Sequence, residues 1–296
     1  MKNPYLQNDK LLDSYVCYVD ILGFKELIDQ NINEGTGDKF LTTIRRILNH
    51  SYKEIYDRMK LLKDFHPFDM KIFTDNMIIG FPIKNISYDS GEPEIGIILQ
   101  LLIRFQVNLL MEGLFVRGGI AKGKHYMDKN IVIGDALLQA INIEKNKKQP
   151  TIKLSDEVKE LVHQQINYYH RDRKKSPQNY YFLKDNDGTY FINYLSEAFA
   201  IFPDGPIFFE VIKKHKYEIE KNLHIVKNQN ISEKYEWLAG YHNFILKENA
   251  NEFPIIDEQN QPSWYTMASE NAQQSLLYIV NYQSVEPSRI TFPDEK

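Results

Sequence analysis

From Tyr15 to Ile21 the chain alternates β-forming residues and then meets Gly23 ahead of an amphipathic segment, which predicts a buried strand feeding a helix with Asp20 at the junction. Phe24, Leu27 and Ile28 open that helix, the run Asn33-Glu34-Gly35-Thr36-Gly37 interrupts it, and Phe40, Ile44, Ile47 and Leu48 then recur at helical spacing. Two short apolar runs over 70–81, ending at Pro82, flank the pair Asp75-Asn76. Such a pair is a hairpin-turn signal and sets Asp75 at a tip. Past the loop Ser90-Gly91-Glu92-Pro93, the residues Ile98, Leu101, Leu102, Phe105 and Leu109 form a helical stripe. Strand-like segments at 114–121 and 130–133 precede a helix opened by Gly134. The order βααββαβ predicts an α+β fold, a ferredoxin-like sheet with helices on one face.

The second half reads differently. Thr151 to Leu154 is strand-like, Ser155 caps a short helix, and 171–177 is a charged loop. Two long helices follow, one lined by Phe208, Val211, Ile212, His215, Ile219 and Leu223, the next by Tyr235, Leu238, Ala239, His242 and Ile245. From Asp257 onward Gln, Asn, Ser and Pro dominate, which suggests a loose tail or an arm reaching a partner. The expected organisation is a core over 1–155, a mixed strand and helix extension over 156–256 packed on it, and a polar tail over 257–296.

Composition narrows the options. The 296 residues are 43% hydrophobic, enough to bury a full core, and the formal net charge of −4 gives no basic surface for nucleic acid. The single cysteine, Cys17, sits in an apolar strand and reads as a small core residue. Met1 to Lys10 lacks the apolar region of a signal peptide, and Ile95 to Val116 carries too many polar residues to cross a bilayer, so a cytoplasmic protein without membrane attachment is expected.

The chemistry concentrates on two aspartates. If the Asp20 strand and the hairpin neighbour one another, both carboxylates leave one sheet edge, where hard oxygen ligands suit Mg²⁺ with bound phosphates. Each could instead be local, Asp20 as a helix cap and Asp75 as a turn residue. Backbone amides of Leu22, Gly23, Phe24 and Lys25, at a helix start, would cradle a triphosphate. The run Gly118 to His125 nearly spells a phosphate-binding P-loop, but His125 stands where a hydroxyl is required and a turn follows it. It reads better as a central strand whose glycines admit a ligand or a second backbone, with Arg117, Lys122 and Lys124 balancing phosphate charge. The eight histidines form no zinc pattern, and His215 and His242 on apolar stripes read as hydrogen-bonded core residues.

Together, Asp20-Ile21-Leu22-Gly23-Phe24, Asp75, the Arg117-Gly118-Gly119-Ile120 strand and the Gly134 to Glu144 helix resemble the class III nucleotide cyclase catalytic domain over residues 14 to 155. The nearest likeness is to the pyrimidine cyclases of bacterial Pycsar anti-phage systems, which the run 234–243 also resembles. The resemblance implies Asp20 and Asp75 as ligands of two Mg²⁺ or Mn²⁺ ions, the Ile21 carbonyl as a further ligand, and Lys71 near the base. It also implies a homodimer with sites at the interface, a cyclic CMP or cyclic UMP product, and a separate effector protein that senses it. Where purine-specific members carry an acid, an Asn and an Arg, this chain has Ile131, Leu138 and Asn142. Those departures keep open an inactive nucleotide-sensing protein, and the sheet order keeps open a palm-type phosphoryl transferase.

Overall fold

The computed structural model describes residues 3–7, 10–62, 68–84, 91–146, 149–170, 172–196, 206–226, 228–249, 255–256, 262–263, 279–282 and 284–292. Elements follow in the order β1 (Leu12–Ile21), α1 (Phe24–Asn33), α2 (Gly37–Leu62), β2 (Asp69–Phe73), β3 (Asn76–Pro82), α3 (Glu92–Met111), β4 (Val116–Met127), β5 (Val132–Gly134), α4 (Asp135–Asn146) and β6 (Ile152–Leu154). Then come α5 (Asp156–Tyr168), α6 (Pro177–Tyr181), β7 (Phe182–Lys184), β8 (Tyr190–Ile192), α7 (Pro206–Ile225) and α8 (Gln229–Glu248). The first seven realise the expected βααββαβ order; β5, close to the strand expected at 130–133, is a short hairpin partner of β4, and α4 and β6 follow.

One sheet runs through the molecule in the order β2-β3-β1-β4-β6-β8-β7, antiparallel except for β4 beside β6. Strands β7 and β8 of the second half lengthen this same sheet. Because side chains alternate along a strand, β1 sends Tyr15, Cys17, Val19 and Ile21 into the main core, and Val16 and Tyr18 to the opposite face. The main core also takes the buried stripes of α2, α3, α5, α7 and α8. Helix α3 is long and apolar enough by composition to span a membrane, but its apolar residues, Ile95 and Leu102 among them, are buried in this core.

The expectation of helices on one face fails at α4. Its stripe of Ala136, Leu137 and Ala140 covers the second face together with Tyr5, Val16, Ile78 and Met127. Gly119 makes this possible, since a Cβ there would stand 2.4 Å from the Ala140 carbonyl oxygen. The strand glycine thus admits a helix backbone and not a ligand.

The run 234–243 is a scaffold. Trp237 Nε1 donates to Asp185 Oδ1 (3.1 Å), Tyr241 Oη donates to Asn193 Oδ1 (2.7 Å) and accepts from the Leu195 amide (2.9 Å). His242 Nδ1 lies 2.8 Å from Nδ1 of His215, whose Nε2 lies 2.7 Å from Tyr194 Oη, so both histidines are the bonded core residues expected. Asn243 clamps the Val280 backbone through two bonds of 2.9 Å. Lys184 and Ser288 exchange backbone bonds of 2.9 Å, and Phe292 stacks on His163. The loose tail expected from Asp257 therefore does not hold for 279–282 and 284–292, which are fastened to α8 and β7. Apart from Pro262 and Ser263, residues 257–278 lie outside the described ones.

Candidate metal and nucleotide site

Asp20 is the penultimate residue of β1, on the face opposite the main core, directly between Asn76 of β3 and Arg117 of β4. It caps nothing: the α1 N-cap is Gly23, in the left-handed region at φ 71°, where glycine is favoured. The β2–β3 turn consists of Thr74 and Asp75, one residue earlier than the Asp75-Asn76 pair suggested, with Thr74 at φ 52°. Asn76 is withheld from the turn because it pairs with Phe73 and Asp20 in the ladder and its side-chain oxygen accepts from Tyr18 Oη.

These bonds orient Asp75. Its Oδ1 accepts from Thr74 Oγ1 (2.6 Å) and Asn76 Nδ2 (3.1 Å). Burial above all, then the carboxylates of Asp20, Glu144 and Asp75, raise the Tyr18 phenol to about 12, so it stays a donor to Asn76. The chain Tyr18–Asn76–Asp75 thus ties the hairpin tip to β1.

The two aspartates meet. Burial pushes the Asp20 carboxyl up to about 6; the Arg117 hydrogen bond and charge oppose this, and a hydrogen bond to Asp75 adds to it. Arg117 Nε donates to Asp20 Oδ2 (3.0 Å) and lies 2.7 Å from Glu144 Oε1 on α4. Two neighbouring carboxylates, one at the end of β1 and one in the β2–β3 turn, are a hard oxygen donor pair that suits Mg²⁺ or Mn²⁺. Among the described residues there is no group of three or more His, Cys, Asp or Glu side chains with metal-binding geometry, so a cation here would complete its shell from carbonyl, water or phosphate oxygens. The Ile21 side chain is buried in the main core, which leaves only its carbonyl for that purpose.

The remaining expected residues divide. Lys25 is exposed in the first turn of α1, beside Gly23 and Phe24. The Leu22 amide is spent on the Phe115 carbonyl at 2.8 Å, so the cradle can begin only at Gly23. Lys71 shares the Asp20 face, since it is the rung partner of Ile78, itself paired with Tyr18; its charge also acts on Asp69 and Asp128. Lys122 and Lys124 are not brought to the site. Both lie on the main-core side of β4, ion-paired with Glu157 (3.1 Å) and Asp13 (2.8 Å). Lys122 is also five residues from Arg117, or about 17 Å along the strand.

Glu144 and Asp128 went unnoticed in the sequence. A signal existed for the first, because Glu144 continues the Ala136, Ala140 spacing of an apolar stripe and is buried with it. Asp128 feels the charge of Lys71, but its carboxylate is engaged by the amides of Asn130 and Ile131 and by Tyr126 Oη. A cleft of about 590 Å³ opens beside the site, running from Leu22 and Gly23 past Phe115 and Arg117 to Lys221 on α7 and Tyr235 on α8.

No protein-family model matches the chain, and no curated protein matches it. Solved structures do. The guanylyl cyclase Cya2 aligns at 13% identity over 50% of this chain and 77% of its own, with a TM-score of 0.32. The dimeric guanylyl cyclase domain of the RhoGC fusion protein from the aquatic fungus Blastocladiella emersonii aligns at 12% identity over 62% and 97%, with a TM-score of 0.34. A class III adenylyl cyclase-like ATP-binding protein from Pseudomonas aeruginosa aligns at 14% identity over 52% and 38%, with a TM-score of 0.32. Superpositions this loose carry no inference about substrate or activity.

Proposed function

We propose that this chain is a metal-dependent nucleotidyl cyclase that converts CTP or UTP to the 3′,5′-cyclic nucleotide and pyrophosphate, in the cytoplasm, as a signal in bacterial anti-phage defence. The observation that carries it is the meeting of Asp20 and Asp75 at the end of β1, next to the glycine turn that opens α1. Asp20, Asp75 and the Ile21 carbonyl would hold two Mg²⁺ or Mn²⁺ ions. Such ions supply Lewis-acid activation of a ribose hydroxyl and neutralise charge on a leaving pyrophosphate. The amides of Gly23, Phe24 and Lys25, with the Lys25 side chain, hold the triphosphate at the start of α1.

The reaction needs little else from the protein. The ribose 3′-oxygen bonds to the α-phosphorus, the bond from that phosphorus to the α–β bridging oxygen breaks to release pyrophosphate, and the hydroxyl proton passes to solvent water. Tyr18, Asn76 and Thr74 keep the Asp75 carboxylate aimed while this happens. For the base, Lys71 faces the same side as Asp20, and Phe73, 52% exposed in the rung Phe73–Asn76–Asp20, offers a ring to stack on. Ile131, where purine readers have an acid, cannot accept from an adenine amino group, which supports a pyrimidine.

Exposed Ile131 just before β5, Ile133 on β5 and Leu138 on α4 support pairing with a second copy of the chain, and the cyclic product would pass to a separate effector. The competing possibility is an inactive nucleotide sensor. It is favoured by Leu138, 64% exposed, and exposed Asn142, which stand where the resemblance calls for an Asn and an Arg. Incubation with an equal mixture of the four nucleoside triphosphates and Mn²⁺, read by mass spectrometry, separates the two. Cyclic CMP or cyclic UMP is expected; binding of triphosphate without any cyclic product would establish the sensor.

A further inference from the structure

We infer that Glu144 is a positioning residue that acts through Arg117 to set how readily the Asp20–Asp75 pair takes a divalent cation; this rests on the metal assignment proposed above. Arg117 Nε sits between two carboxylates, 3.0 Å from Asp20 Oδ2 and 2.7 Å from Glu144 Oε1. Its hydrogen points at Asp20. The closer oxygen, Glu144 Oε1, is buried and has no hydrogen-bond donor among the described residues. A buried carboxylate oxygen left without a donor is rare in folded proteins and calls for a reason.

The reason lies in what a cation would do. A divalent ion on Asp20 displaces a guanidinium from the same carboxylate and then repels it at close range. Arg117 needs another anion within a small rotation of Nε, and Glu144 Oε1 is already in contact and unclaimed. Asp20 and Arg117 are rung partners on β1 and β4, so their backbones cannot separate. Helix α4, which carries Glu144, is seated on Gly119 two residues further along β4. Only the direction of one N–H has to change. Without Glu144 the guanidinium has no second carboxylate and stays on Asp20 as a competitor of the metal.

The test is titration of the full-length protein with Mn²⁺ alone, without nucleotide, following the electron paramagnetic resonance signal of free Mn²⁺, with circular dichroism confirming each variant's fold. Glu144→Gln should weaken binding on the order of tenfold and Arg117→Gln should tighten it by a similar factor. The double variant should behave as Arg117→Gln, because Glu144 acts only through that side chain. Arg117→Lys replaces Arg117→Gln should the latter not fold: a lysine cannot span both carboxylates, so the Glu144→Gln effect should shrink in that background as well. An unchanged affinity in folded Glu144→Gln overturns the inference, as does an equal loss in the Arg117 background, which would make Glu144 a direct ligand. If Asp20→Asn and Asp75→Asn bind Mn²⁺ as the parent does, the metal assignment itself fails, whatever Glu144 does.

Discussion

Lys153 is wholly inaccessible to solvent, yet it carries a charge, with Asp185 Oδ2 at 2.5 Å and Asp187 Oδ2 at 3.7 Å. Asp185 in turn accepts from Trp237 on α8 and from the Asn186 amide (2.8 Å). This cluster joins β6, the strand that ends the first half of the chain, to the loop before β8 and to α8. Replacing Asp185 by Asn leaves the Lys153 ammonium buried without its counter-charge. Breaking a buried pair this way costs about 3–5 kcal/mol, and the partly exposed Asp187 brings the value to the lower end, near 3 kcal/mol. At about 2–4 °C per kcal/mol for chains of this size, the melting temperature should fall by roughly 6–12 °C. Lys153→Met should cost less, about 1–2 kcal/mol, because Asp185 retains two donors. The double variant Lys153→Met, Asp185→Leu should return to within about 1 kcal/mol of the parent. Urea unfolding in a Trp264→Phe background, followed by circular dichroism and by Trp237 fluorescence, should give one coincident transition. A loss under 1 kcal/mol for Asp185→Asn, or separate transitions for the two probes, would refute the claim that both halves fold as one body around this pair.

Three further outcomes follow from the site and the core. Asp20→Asn and Asp75→Asn should each abolish Mn²⁺-dependent turnover while leaving the circular dichroism spectrum intact, since neither side chain supports the main core; near-parent turnover at saturating Mn²⁺ would contradict their role. Tyr18→Phe removes the phenol that holds Asn76, and through it Asp75, so turnover should drop about threefold to tenfold, the worth of roughly one neutral hydrogen bond; an unchanged rate excludes the chain Tyr18–Asn76–Asp75 as a positioning device. Burial holds the His125 imidazole at about 4, with Asp135 opposing, and also lowers His215 well below its usual value, with His242 adding to the effect. Both histidines are neutral in the fold, while the unfolded chain takes up protons near pH 6.5. The contribution of these two histidines should therefore be full above about pH 6.5 and fall as the pH drops toward 4, by about 3 kcal/mol for His125 alone, while Asp20, raised to about 6, acts in the opposite direction over the same range. Urea midpoints of the parent and of His125→Gln at several pH values check this: the parent should lose stability relative to the variant as the pH falls.

The strand and helix order, the Asp20 junction and the hairpin tip were legible because each rests on local periodicity or on a turn residue. The exact turn was not, since Asn76 is claimed by a cross-strand bond to Tyr18 that no local pattern encodes. The same limit hid the sidedness of β4: its basic residues look equivalent in sequence, but alternation sends Arg117 to Asp20 and Lys122 and Lys124 to the other face. Helix α4 crossed to the second face because Gly119 lets it, and glycine in a strand reads equally as room for a ligand. The fastening of 279–282 and 284–292 was invisible because the polar composition from Asp257 onward resembles a loose tail, while its anchors, Asn243, Lys184 and His163, are distant in the chain.

The central claim is that Asp20 and Asp75 hold the metal ions of a cyclising centre. Crystals grown with Mn²⁺ and a non-reactive CTP or UTP analogue, measured at the manganese absorption edge, test it most directly. Two anomalous peaks about 3.5–4 Å apart, ligated by Asp20, Asp75 and the Ile21 carbonyl with triphosphate oxygens completing the shell, are the predicted result. Manganese bound elsewhere, with Asp20 still hydrogen-bonded to Arg117 and the triphosphate away from Gly23, would contradict it.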